Sequence, residues 1–125
     1  MRMIIVVLAL LLSVASAEAA KAAASGRPLM LYQVAGTNPD CSYTGAIVFR
    51  VIEAPLHGTV SIRPAEVFPN FPSSNIRSVC NARRVRGQEA TYISRPGYKG
   101  ADFVELQAIF PAGADQIIRI PIEVM

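Results

Sequence analysis

Arg77, Arg83, Arg84 and Arg86 fall within ten residues of the stretch NIRSVCNARRVRG, with no carboxylate among them. Guanidinium forks suit carboxylates, sulfates and phosphates, which they hold through paired N–H donors. Just upstream, VFPNFPSS sets Phe68 and Phe71 among prolines. Exposed together, these rings and cations would form a binding patch. Buried, the rings would cover one open end of the fold, and burial is the expectation for both. For the arginines, plain solvation, or pairing with Glu66, Glu89 and Asp115, competes with a binding role.

Other chemistry is thinly supplied. His57 is the one histidine, and a Ser–His–Asp arrangement would need a nucleophile beside it and an acid orienting it. There is no G-x-S-x-G elbow, and Ser73, Ser74 and Ser78 lie in the proline-rich stretch, so His57 reads as a turn residue before Gly58. Asp102, in RPGYKGADF (Arg95–Phe103), raises the question of a metal. Calcium takes roughly six to eight oxygens, and no DxD or DxN cluster stands nearby. The expected role is to hold a turn by accepting backbone N–H bonds. Gly97 and Gly100 lack a following helix, so a phosphate loop is not expected either. No catalytic set, metal or cofactor is expected.

The chain opens MRMIIVVLALLLSVASA. Arg2, the apolar run Ile4–Leu12 and the A-x-A triplet Ala15–Ala17 have the form of a secretory leader, 1–17. Ala17–Ala19 also fits the small-residue rule, so cleavage two residues later is an alternative. The apolar run is shorter than the roughly 20 residues of a spanning helix, and no transmembrane segment is expected in the mature chain. A periplasmic or secreted location follows. There, a lone pair such as Cys41 and Cys80 is most simply a disulfide. One histidine and no CxxC spacing argue against zinc or a redox pair. The formal net charge of +3 includes Arg2 and is too small to indicate nucleic acid or a membrane surface.

What must position these residues is a set of strands. Residues 18–26, EAAKAAASG, have no apolar face and read as a flexible lead-in. From 27 to 125 the signal is β, in one domain. PLMLYQV is a first strand. AIVFRVIEA is β-branched, aromatic and barely interrupted, which predicts a central strand. GTVSIRP alternates, with Val60 and Ile62 on one face. Pro64–Gln88 shows no period and reads as a long loop tied down by Cys80. EATYIS resumes the strand pattern. DFVELQAIF alternates, with Val104, Leu106, Ala108 and Phe110 on one face. PAGAD is a hairpin-type turn. QIIRIPIEV closes the chain, with Pro121 marking an edge or a bulge. Six or seven short strands without an amphipathic helix predict an all-β, antiparallel β-sandwich.

Two fragments together resemble bacterial Ig-like and cadherin-like repeats, in which a P-x-HGTV strand precedes a Y-x-P-x-x-G-[YF]-x-G-x-D-x-F segment. Pro55, His57, Gly58, Thr59 and Val60 match the first part; Tyr92, Gly97, Tyr98, Gly100 and Asp102 match the second, with Pro96 standing two residues beyond the proline position, which falls on Ser94. The aromatic expected after the aspartate falls on Val104, and the insertion carrying Cys80 and the arginines is foreign to the repeat. The chain also looks like a group of small exported proteobacterial proteins with the same HGTV, a Pro-rich middle with a Cys, and this turn. The resemblance implies a single Ig-like sandwich, to which the cysteine pair adds one disulfide; the expected function is a non-catalytic structural or interaction module of the cell envelope. Its expected partner is an envelope protein or an anionic polysaccharide, met through the 67–86 loop. A small carbohydrate-binding protein is the alternative, although the chain has no Trp; a hydrolase lacks its constellation.

Overall fold

A computed structural model describes residues 19–125; the expected leader lies outside them. Seven strands follow in chain order: β1 (Lys21–Ala23), β2 (Leu29–Ala35), β3 (Val48–Glu53), β4 (Gly58–Val67), β5 (Val85–Ser94), β6 (Gly100–Ile109) and β7 (Asp115–Val124). A short 3₁₀ helix, Ile76–Ala82, lies between β4 and β5. The strands form a four-stranded sheet, β1-β7-β6-β3, and a three-stranded sheet, β2-β5-β4. This is the all-β sandwich that the strand pattern predicts. Every pairing is antiparallel except that of β1 with β7.

The core lies between the sheets and follows the two-residue period. Asp102, Val104, Leu106 and Ala108 of β6 are buried, as are Ile120, Ile122 and Val124 of β7. Ala90, Tyr92 and Ser94 of β5 meet them from the other sheet. In β2 the register shifts between Met30 and Tyr32. The extra residue is Leu31, which is fully buried, and Tyr32 still packs against the core. A bulge thus restores an alternation that PLMLYQV alone does not keep.

Three sequence expectations change. Residues 18–26 are not wholly a lead-in: Lys21–Ala23 pairs with Ile122–Val124, and Ala23 is buried. The apolar β3 is an edge strand, with Val48 and Ile52 exposed, because its only ladder partner is β6. The irregular stretch is shorter than Pro64–Gln88. β4 continues to Val67 and β5 begins at Val85, in unbroken register through Pro64↔Gln88 and Ala65↔Gly87. Pro64 is tolerated because β4 is an edge, where a missing N–H need cost no ladder bond. Gly87 is required by close approach, since a Cβ there would sit 2.3 Å from the Val34 carbonyl oxygen. Pro121 lies opposite Phe103 just before β1 begins to cover β7, so that part of β7 has one neighbour only.

The ends of the sandwich are closed differently. At one end the 36–47 and 68–84 loops are joined by the Cys41–Cys80 disulfide, with Cα atoms 5.5 Å apart. Cys80 is fully buried. Cys41 holds φ = +68°, a left-handed conformation that a non-glycine residue adopts only where its surroundings impose it. Its N–H donates to the Asn38 carbonyl, and the next residue's N–H donates to Asp40 Oδ1. Because the bridge closes a loop of 39 residues in sequence separation, the Cys41→Ser/Cys80→Ser variant should lose roughly 2–4 kcal/mol of unfolding free energy. Urea denaturation of both proteins tests this; coincident curves would show that the bridge adds nothing.

Candidate functional site

The two sequence fragments of the family resemblance meet at the end opposite the disulfide. Asp102, at the start of β6, is buried. Its Oδ1 accepts from the Leu56 N–H at 3.1 Å and from its neighbour Phe103 N–H at 2.9 Å. Its Oδ2 accepts from the His57 N–H at 3.2 Å and the Tyr92 hydroxyl at 2.7 Å. Tyr92 belongs to the other sheet, and Leu56–His57 to the connection that crosses between sheets. One carboxylate therefore fastens β5, β6 and the β3–β4 crossing. The sequence expectation of a turn-holding aspartate is met, but the turn it holds lies on another part of the chain.

Burial would push the Asp102 carboxyl up; the hydrogen bonds from Tyr92 and the three N–H groups outweigh it and hold it below the ordinary carboxylate range. Burial, and then the bond to Asp102, push the Tyr92 phenol up. Both oxygens of Asp102 face donors, so a cation has no lone pair left to approach. The His57 ring stacks on Tyr98 with centroids 4.0 Å apart and planes 7° from parallel. Its Nδ1 faces the Arg95 guanidinium at 3.0 Å. Asp102 touches the His57 main chain and not its imidazole, so the acid does not orient the ring as a triad requires.

The remaining motif residues serve this same joint. At Gly58 a Cβ would lie 2.4 Å from the Ile93 carbonyl oxygen and 2.7 Å from the Tyr92 ring. Arg95–Tyr98 is a turn closed by Tyr98 N–H to the Arg95 carbonyl, with Pro96 at its second position and Gly97 at φ +85°. The Tyr98 hydroxyl donates to the Ala101 carbonyl at 2.6 Å. His57, Gly58, Tyr92, Pro96, Gly97, Tyr98, Gly100 and Asp102 thus build the fold, and they do so as one cluster.

The candidate binding residues lie at the disulfide end, and the structure divides them into two groups. In the first, the Arg84 guanidinium lies over the Phe68 ring at 5.5 Å, and that of Arg86 over Tyr43 at 5.2 Å. Phe68 is 54% exposed, contrary to the expectation of burial. Val67 before it is the last core-facing residue of β4, so its successor leaves the sheet on the outer side. Arg83 is exposed beside Arg84. The ion pairs among the described residues are Arg63–Glu89 and Arg119–Glu105. Arg77, Arg83, Arg84 and Arg86 take no part in them, so of the two alternatives to a binding role, pairing with Glu66, Glu89 and Asp115 is not formed. An open groove of about 570 Å³ runs beside Arg86 and Tyr43, lined also by Ile47, Pro64, Glu66 and Gln88.

The second group is Arg77 and Phe71, which point the loop back onto the sandwich. Arg77 Nε donates to the Thr37 carbonyl at 2.8 Å. Both main-chain groups of Phe71 bond to the Asn81 side-chain amide at 2.9 Å. Asn75 caps the 3₁₀ helix by accepting from the Arg77 N–H. Phe71 is half-buried. Sequence reasoning missed Tyr43, Thr37 and Asn81. A signal for Tyr43 was present: it stands two residues from Cys41, so a bridge to Cys80 must carry it toward the arginines.

No known protein family matches the chain, and no curated protein matches it. Among solved structures the chain is similar to one titled "Solution Structure of Amebosin", with 13% sequence identity over 83% of this chain and 86% of that one, at a TM-score of 0.41.

Asp102→Ala leaves the buried Tyr92 hydroxyl and the part-buried Leu56 and His57 N–H groups without their acceptor and should cost about 3 kcal/mol. Asp102→Asn should cost nearly as much, because either orientation turns an NH₂ toward an N–H donor. Tyr92→Phe should cost about 1–2 kcal/mol. Since the folded carboxyl titrates below its unfolded counterpart, its stabilising contribution is complete above the unfolded value of about 4. It is lost as pH falls through the folded value. The stability gap between wild type and Asp102→Ala, measured by chemical denaturation, should therefore narrow in acid. A gap independent of pH would contradict an ionised Asp102.

Proposed function

We propose that this protein is a non-catalytic interaction module exported to the cell envelope, of Ig-like type, which meets an anionic partner through its disulfide-pinned end. The observation that carries this reading is the pair of guanidinium–ring stacks, Arg84 on Phe68 within one disulfide-joined loop and Arg86 of β5 on Tyr43 of the other, with no ion-pair partner among the described residues. A stacked guanidinium keeps its N–H edge free for an anion while the ring restrains it. Each stack is worth roughly 0.5–1 kcal/mol at an exposed site. Pinning the loops lowers the ordering cost that flexible arginines would otherwise incur on binding.

Support for the Ig-like reading is the strand order. Ig-type sandwiches place the second, fifth and fourth strands in one sheet and the third, sixth and seventh in the other. Here β2-β5-β4 and β7-β6-β3 repeat that arrangement, with β1 added beside β7. Support for export is the leader-like stretch 1–17, a disulfide, and no helix long and apolar enough to cross a membrane among the described residues. The partner class that fits best is an acidic polysaccharide. Its repeated carboxylates or sulfates match several separate guanidinium forks, and the open groove beside Arg86 suits an extended chain.

Retention on a carboxylated or sulfated polysaccharide matrix should fall at least tenfold in affinity for the Arg83→Ser/Arg84→Ser/Arg86→Ser variant, about 1.4 kcal/mol or more. Rising salt should weaken the wild type and scarcely affect the variant. Equal retention of the two proteins would remove this surface from the account.

A further inference from the structure

A second crevice, of about 540 Å³, opens where three loops of the disulfide end meet. Its walls are Phe71, Phe110, Pro111 and Ala112 on the apolar side and Thr37, Asn75 and Arg77 on the polar side. No acidic residue lines it. Arg77 spends only its Nε internally, on the Thr37 carbonyl. Both Nη groups are without a hydrogen-bond or ion-pair partner among the described residues. Asn75 uses its oxygen to accept from Arg77 N–H, which leaves its NH₂ uncommitted. Thr37 is 3% exposed, and its hydroxyl is the buried side-chain polar atom for which the described residues offer no partner. That hydroxyl is closed off from the crevice, so the donors offered to a guest are those of Arg77 and Asn75.

We infer that this crevice binds a carboxylate carried on an apolar body. The carboxylate lies against the Arg77 fork, whose geometry it matches with two parallel bonds. The Asn75 amide adds a further donor, and the apolar body fills the space between Phe71, Phe110 and Pro111. The volume lies within the usual range for small-molecule sites, apolar walls with few convergent polar groups. Inorganic phosphate or sulfate would satisfy the donors and leave the apolar walls wet, which is why a carboxylate with a hydrocarbon tail is the better match. The inference extends the interaction-module reading to a second subsite. It does not depend on Arg83, Arg84 and Arg86, none of which lines this crevice.

The test uses the full folded chain and two probe acids with their uncharged amides. Hexanoate represents a free acid, and N-acetyl-leucine represents the last residue of a peptide; hexanamide and N-acetyl-leucinamide are the controls. Titrations are followed by ¹H–¹⁵N NMR. Either acid should shift the Thr37, Arg77, Ala112 and Gly113 amides, with the amides binding at least tenfold more weakly, about 1.4 kcal/mol. The tighter of the two acids identifies the source of the carboxylate. Arg77→Gln should abolish the preference for acid over amide. Since Arg77 also ties two loops together, Ala112→Trp is the second variant: it fills an exposed wall, breaks no internal bond, and should block both acids while the melting temperature holds. The Arg83→Ser/Arg84→Ser/Arg86→Ser variant should bind the acids as the wild type does. Equal affinity for acids and amides, or unchanged binding in Ala112→Trp, would overturn the assignment.

Discussion

A single ionised carboxylate holds one end of this sandwich together. Asp102 takes its hydrogen bonds from a tyrosine of the facing sheet, from two successive N–H groups of the crossing loop and from its own neighbour. Burying a charge is costly unless it is paired or fully hydrogen-bonded. Here the second condition is met without any cation, by donors that would themselves be orphaned if the carboxylate were absent. The joint is therefore conditional on all of its members. Gly58 must lack a side chain to let Tyr92 pass. Pro96 and Gly97 must return the chain so that Asp102 enters β6 in place. The His57–Tyr98 stack covers the outside.

The opposite end has no such joint. It is closed by a covalent bridge between two loops that have little regular structure of their own. Division of labour follows from this difference. A carboxylate joint fixes its neighbours within hydrogen-bond distances and leaves no free donors. A disulfide fixes two points and leaves the side chains around it available. At that end the arginines have no acidic partners, two aromatics stand exposed beneath guanidinium groups, and a threonine hydroxyl is left over. The free edges of the sheets are guarded by ordinary devices. Pro64 removes an N–H from β4 without breaking its register, a bulge lies at Leu31 of β2, β1 covers the last residues of β7, and a bulge between Val51 and Glu53 ends β3 shortly before Pro55.

How far the sequence reveals this depends on the length scale of each interaction. The alternation in β6 and the turn chemistry of Pro96–Gly97 and of Gly113 are local, so they can be read directly from neighbouring residues. The disulfide is legible because a chain with two cysteines allows a single pairing. The strand boundaries around Pro64 and Gly87 were hidden, because both residues usually break strands. Their tolerance depends on β4 being an edge and on β2 pressing close to Gly87, facts of tertiary arrangement. The edge position of β3 was hidden for the same reason, since apolar composition does not record which side of a strand is paired. Asp102 was recognisable as a turn aspartate, but its donors lie about 45 residues upstream at Leu56 and His57. For the loop, charge and aromatic content marked the right segment. Which arginine stacks, which one faces inward and which aromatics accompany them depended on the fold of three separate loops.

The central claim is that one end of the sandwich is built for stability and the other for contact. Hydroxyl-radical footprinting with and without an acidic polysaccharide tests it most directly, because aromatic side chains at both ends report in a single experiment. The account predicts protection of Tyr43 and Phe68 at the disulfide end, with Tyr98 at the Asp102 end unchanged. Protection centred on Tyr98, with Tyr43 and Phe68 unaffected, would contradict it.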